Sequence, residues 1–286
     1  MSLFAKIIAE LVNLVLIGLA LLGMPALIAG WQGWRAGLGL RANSAIWRAE
    51  LALWRQDRLE SDFASPMARL WPAIALASTV IAAGLVPGFA RNIWTGVPGL
   101  AIWVIGLLAL ARIARLLSVL DAGQGARGRA AGLAARSFWV VQTILLLGTM
   151  IAASALGARS IGAGLPLGAA GLDHMVLLLG LAAAIVGLAQ DQAAPEGDLA
   201  GPDLALLRLE ARLRPVVLVL LVFALFAPLW LADATRPTSW VLGLLGFWVR
   251  LALGMAAMAA APRGVWRAGL IALLLAGLAL VVVLPR

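Results

Sequence analysis

This sequence predicts an all-α fold, a polytopic membrane helix bundle, and three observations carry the prediction. Of its 286 residues, 63% are hydrophobic and 12% charged, and the mean hydropathy is +1.02. No soluble chain of this length has an interior large enough to hide so much apolar surface, so lipid is the solvent. Apolar runs of about 18 to 24 residues recur eight times along the chain. Finally, 16 of the 22 Lys and Arg residues fall in four of the nine segments between and beyond those runs, all on one side of the zigzag.

The runs lie at about 8–30, 70–89, 97–118, 137–157, 173–190, 215–233, 238–261 and 266–284. An even number leaves both termini on one side. That side holds only Lys6, Arg91, Arg159, Arg236 and Arg286. The other side holds Arg35, Arg41, Arg48, Arg55, Arg58 and Arg69, then Arg112, Arg115, Arg127, Arg129 and Arg136, then Arg208, Arg212, Arg214, Arg263 and Arg267. Cytoplasmic segments are the ones enriched in Lys and Arg, so both termini are expected in the periplasm of a bacterial inner membrane. The first run is too long, and too weakly basic at its start, for a cleaved signal peptide. With no soluble linker and no repeat of fixed period, residues 1–286 read as one transmembrane domain.

Between the first and second runs, Asn43 or Ser44 is placed to cap an amphipathic helix. Ile46, Trp47, Leu51, Leu53 and Trp54 fall on one side of it, while Arg48, Arg55 and Arg58 alternate with Glu50, Asp57, Glu60 and Asp62. Such a helix lies along the inner headgroups, either as a plain anchor or as a ledge for a cytoplasmic partner through Arg48, Glu50, Arg55 and Asp57. The third run leads through Arg112 and Asp121 into a Gly-rich turn (Gly123, Gly125, Gly128, Gly132) that ends at Arg136. In the long inner segment 191–214, Pro202 opens a short helix over Asp203–Arg214. Asp203, Arg208 and Glu210 offer either a solvated surface or a binding one. Arg250 is the single formal charge deep in a run, and its partner has to come from another span, another subunit or a lipid phosphate.

Several chemistries are excluded or disfavoured. The chain has no cysteine and one histidine, His174. That rules out thiolate metal sites and iron–sulfur ligation and leaves no histidine metal cage, so no metal or cofactor is expected on this chain. No phosphate-binding Gly-rich Lys-Ser/Thr sequence, zinc-protease His pair or nucleophile elbow occurs. A net charge of +9 raises nucleic acid as a partner, but the arginines hug span ends instead of forming one stripe, so they read as topology signals and lipid partners. Gly84-x-x-x-Gly88 and Gly164-x-x-x-Gly168 are weak helix-packing hints.

From Leu108-Ala109-Leu110-Ala111-Arg112 through Leu116, Leu120-Asp121 and the glycines to Arg136, the sequence resembles one family. This is the membrane subunit shared by energy-converting hydrogenases of the formate hydrogenlyase type and by respiratory complex I, where it is called subunit 1. Ser65-Pro66, Arg69 and Pro72, then Leu85-Val86-Pro87, are similar to the family's second helix at its start and end. Glu50-Leu51-Ala52-Leu53 with Arg55 and Asp57 looks like its amphipathic helix. The resemblance implies a non-catalytic subunit that anchors a cytoplasmic redox arm to antiporter-like membrane subunits. The redox arm would consist of hydrogenase-like and iron–sulfur subunits carrying nickel–iron and iron–sulfur groups, with quinone at the interface. It also implies a share in proton translocation through carboxylates within helices.

At the places where the family carries glutamate, this chain has Ser137, Gln142 and Gln190, with Asp191 adjacent to the last. An amide hydrogen-bonds but carries no titrating proton. Arg112, Asp121, Arg136, Gln142, Gln190, Asp191 and Arg250 are therefore the candidate coupling positions, and the substitutions shift the expected role toward scaffold. A stand-alone transporter or channel for a small solute is the competing class, but the chain lacks the paired broken helices that such proteins show.

Overall fold

The computed structural model describes residues 2–34, 41–57, 66–91, 94–95, 97, 99–121, 125–155, 171–189, 200–227, 231–234, 236–260, 271–272 and 274–278. Among the described residues, eight α-helices are defined: α1 (Ser2–Trp34), α2 (Arg41–Leu53), α3 (Leu70–Leu85), α4 (Leu100–Asp121), α5 (Gly125–Ala155), α6 (Gly171–Ala189), α7 (Gly201–Phe226) and α8 (Trp240–Ala260). Among the described residues the only β pairing is one isolated parallel bridge, Ala90 with Ala232.

Among the described residues, four helical stretches are long and apolar enough to cross a membrane: Leu3–Gly23, Leu100–Asp121, Ala131–Ala153 and Trp240–Met258. Leu70–Leu85 and Val176–Leu188 are apolar but shorter. Side chains such as Leu11, Val15, Ile102, Trp103, Trp139, Leu242 and Leu245 point outward and are exposed. In water so much outward apolar surface would drive aggregation, whereas in a bilayer it faces its own kind. The chain is a multi-pass membrane protein. Most of the expected eighth span, 266–284, lies outside the described residues, as do Gln190, Asp191 and the pair Gly164 and Gly168.

At the centre stands α7. Every residue from Val216 to Phe226 is buried, as expected for a helix that is apolar all round. It touches each of the other seven helices. Phe226 closes its far end against Gly148 of α5 and Gly180 of α6, where a Cβ would come within 2.9 Å and 2.4 Å of the ring. Residues 203–214 were expected as a separate short helix and 215–233 as the sixth span. They form instead one helix that runs through Pro215 and stops at Phe226. Proline lacks the N–H that would serve the carbonyl of Ala211, but packing on all sides holds the helix together.

Two other boundaries also differ from expectation. The Gly-rich turn before Arg136 is helical from Gly125 onward, because Ala131 and Ala134 bury against Leu116 and Val119 of α4 and outweigh the low helix propensity of glycine. Asn43 and Ser44 sit inside α2, which already begins at Arg41.

Contacts sort the helix ends. Near one end, the turn after α2 meets the start of α7, where a Cβ on Gly201 would lie 2.8 Å from the Asp57 carbonyl oxygen and 3.1 Å from that of Gln56. At the other end, the segments after α3 and α7 are stitched by Ala232 N–H donating to Phe89 O (2.8 Å) and Arg91 N–H to Ala232 O (2.9 Å). Gly201 needs to be glycine twice over, for this approach and for its φ of +62°. Gly201→Ala is expected to destabilise the protein by about 1–2 kcal/mol from the left-handed backbone alone, read as a lower unfolding midpoint in detergent. An unchanged midpoint would contradict the close approach.

Candidate functional site: a buried arginine network

The last turns of α4 present Arg112 and Arg115 toward α7, whose Leu207, Glu210 and Arg214 return the contact. Arg115 Nη1 donates to Glu210 Oε2 (2.8 Å) and to Leu207 O (2.6 Å). Arg214 Nη1 donates to Leu108 O (2.7 Å) and lies 3.9 Å from Glu210 Oε1. All four charged groups are inside the protein, with Arg115 1% and Glu210 0% exposed. Moving one ion out of water costs several kcal/mol, recovered only where geometry and further hydrogen bonds are good. Two guanidinium groups flank one carboxylate and each is also bonded to a main-chain carbonyl, which recovers part of that cost, while Glu210 Oε1 is left without a hydrogen bond among the described residues. Beside them is a cavity of ≈ 60 Å³, lined by the charged residues Arg112, Arg115, Glu210 and Arg214 and by the apolar residues Ala211, Pro215, Leu218 and Met258.

A second set of contacts ties α2 to the same stretch of α7. Glu50 Oε1 lies 2.6 Å from Arg212 Nη2 and 3.8 Å from Arg208 Nη1. The Arg212 guanidinium sits 5.0 Å from the centre of the Trp47 ring, and Trp47 Nε1 donates to Leu22 O (3.1 Å). Leu51 and Trp54 are left exposed. Of the residues expected at a docking surface, Glu50, Asp203 and Glu210 are therefore buried inside the chain, at 7%, 7% and 0% exposure. Their spacing on α2 and α7 points them at other helices of the same chain. Arg48, Arg55 and Asp57 are exposed and Arg208 partly so.

Arg250 lies in the middle of α8, 2% exposed. Its Nε donates to Gly246 O (3.0 Å) on its own helix, and its Nη2 donates to Gly88 O. Gly88 belongs to the buried, non-helical segment that follows α3, where carbonyls have left the helix ladder. At membrane depth such carbonyls require partners within the protein. Arg250 serves one, and Asn13 of α1 serves another, its Nδ2 donating to Val86 O (3.0 Å). The Gly84/Gly88 pair is where Glu10 and Asn13 of α1 approach this segment: a Cβ at 88 would meet Asn13 Oδ1 at 2.1 Å.

Of the remaining candidates, Gln142 donates from Nε2 to Ile105 O (3.1 Å), joining α5 to α4. Asp121 is half-buried at the end of α4, and Arg136 is exposed on α5. The sequence reading missed the Arg115–Glu210 pair and Asn13. The signal for the pair was present as charges three to four residues apart on two helices, at 112 and 115 and at 210 and 214.

No protein-family model matches the sequence, and neither does any curated protein. Solved structures do match, 57 chains in all. One belongs to the membrane-bound sulfane sulfur reductase, an archaeal respiratory membrane complex. It superposes with TM-score 0.70 over 96% of this chain and 99% of its own, at 15% sequence identity. At that identity the likeness establishes the fold.

Glu210→Gln leaves the two buried cations uncompensated and is expected to cost about 3–5 kcal/mol. The double change Arg115→Met with Glu210→Leu should recover part of that loss, because one buried cation leaves together with the carboxylate while Arg214 stays. Unfolding measurements on the single and double variants test this. Purely additive losses would show that the two groups do not interact.

Proposed function

We propose that this chain is a non-catalytic integral-membrane subunit of a respiratory complex related to complex I and the energy-converting hydrogenases, where it anchors the cytoplasmic redox arm to the membrane arm. The observation that carries this reading is the end-to-end fold likeness to a chain of an archaeal respiratory membrane complex, on a chain whose own side chains offer no redox centre: it has no cysteine and one histidine. The sequence resemblance over residues 108–136 points the same way. Hydrogenase-like and iron–sulfur subunits are the proposed partners on the arginine-rich side, with nickel–iron and iron–sulfur groups held there and quinone at the interface. Antiporter-like subunits flank the chain in the membrane, and lipid covers the rest.

The exposed groups Arg48, Arg55 and Asp57, with the half-buried Arg208, supply a mixed-sign surface suited to a protein partner. They lie at the end of the bundle where α2 meets the start of α7, which the arginine asymmetry assigns to the cytoplasm. Gln142 acts in this reading as a helix-to-helix tie. Its donor N–H is satisfied by the Ile105 carbonyl, a bond that an ionised glutamate cannot make. Glu210 acts in this reading as the buried anion that holds Arg115 and Arg214 together.

Purification of the tagged chain from its own membranes in mild detergent is expected to bring down iron–sulfur and hydrogenase-like subunits. Reversing charge at Arg48 and Arg55 together should weaken that recovery by about tenfold or more, as for loss of well-placed interfacial charges, while the chain stays folded. A monodisperse single chain that conducts a small solute in liposomes would replace this reading with the transporter.

A further inference from the structure

The cavity between the charged turns of α4 and α7 carries an excess of cationic charge. Three guanidinium groups, those of Arg112, Arg115 and Arg214, line it together with a single carboxylate, Glu210. Asp203, buried two turns earlier on α7, is not part of the lining. Counting it would still leave cationic charge in excess. The rest of the lining, Ala211, Pro215, Leu218 and Met258, is apolar. Leu218 stands eight residues beyond Glu210 on α7, about 12 Å further along the axis at 1.5 Å per residue. The charged groups thus sit toward the arginine-rich end, and the hydrocarbon wall runs from them toward the middle of the bundle.

A free inorganic anion would use only the charged wall. A molecule that joins an oxyanion to an acyl chain uses both walls, and in the order in which they occur along the membrane normal. Guanidinium groups match phosphate oxygens in planar, paired hydrogen bonds, and basic pockets between helices at the cytoplasmic side are suited to anionic lipid headgroups. At ≈ 60 Å³ the cavity takes a headgroup oxyanion and leaves the tails in the bilayer.

We propose that this cavity is a binding site for the phosphate of an anionic phospholipid of the inner leaflet, with Arg112 and Arg214 facing the oxyanion and Leu218 and Met258 facing the glycerol end of its chains. The bound lipid supplies negative charge to the network and ties α8 to α4 and α7. The inference rests on membrane placement with this end inward and not on assembly into a larger complex, so an isolated chain suffices to test it.

Native mass spectrometry of the delipidated full chain, titrated separately with phosphatidylglycerol, phosphatidylcholine and inorganic phosphate, is the experiment. One phosphatidylglycerol per chain is expected to be retained, with phosphatidylcholine weaker by about tenfold or more and no saturable binding of inorganic phosphate. Arg112→Gln should lose the retained lipid. Ala211→Phe, which fills the cavity from its apolar wall and leaves all four charges in place, should lose it as well. The comparison among the three probes needs no variant, so a misfolded substitution does not decide the matter. Absence of a retained lipid, equal retention of the two lipids, saturable phosphate binding without lipid, or retention by a folded Ala211→Phe protein would each overturn the proposal.

Discussion

A polar group carried out of water has to find its partner inside the protein, and that requirement organises this fold. In a bilayer no solvent repairs a missing hydrogen bond. The carbonyls released where α3 ends are met by Asn13 and Arg250. The charges on the first half of α7 are met by Arg115 on α4 and by Glu50 on α2. Helix α7 is able to be central because its second half is apolar on every side and its first half directs each charge at a neighbour. Both halves belong to one helix, so the network at one end and the packing around Phe226 at the other are rigidly connected.

That connection bears on function. In the proposed role, a subunit joining a soluble redox arm to a membrane arm has to transmit a change at one end without coming apart. Here the arginine-rich turns of α7 carry Glu210 between two cations, while α2, pinned by Glu50 and Trp47, supplies the exposed charges next to it. Any change in the charge around Glu210 therefore acts on α4 and α7 together. Arg250, set about ten residues into α8, plays the quieter part of holding the break after α3 closed.

The helical class was legible because lipid imposes a composition that no soluble core matches, and among the described residues four helical stretches are long and apolar enough to cross a membrane. Helix ends were harder to read. Gly125, Gly128 and Gly132 look like a turn in one dimension, and only the packing of Ala131 and Ala134 on α4 makes them helical. Pro215 looks like a start, yet it sits in mid-helix because α7 is enclosed on all sides. For the site, Arg250 stood out as a lone charge in an apolar run, but its carbonyl partner did not, since Gly88 O becomes available only where α3 stops. Glu50 and Glu210 were read as surface groups because mixed charges in sequence usually mark a wet face. What reverses that reading is the approach of α2 and α4 to α7, which no local pattern in the sequence encodes.

The central claim is that the arginine-tied end of the bundle faces the cytoplasm. The chain has no cysteine, so single cysteines introduced at the exposed positions Arg48 and Arg91 report on it directly through a membrane-impermeant maleimide. In intact cells with the outer membrane permeabilised, Arg91→Cys should be labelled and Arg48→Cys should react only after the inner membrane is opened. The reverse pattern would put Glu210, its arginines and the proposed docking surface on the wrong side of the membrane for a cytoplasmic redox partner.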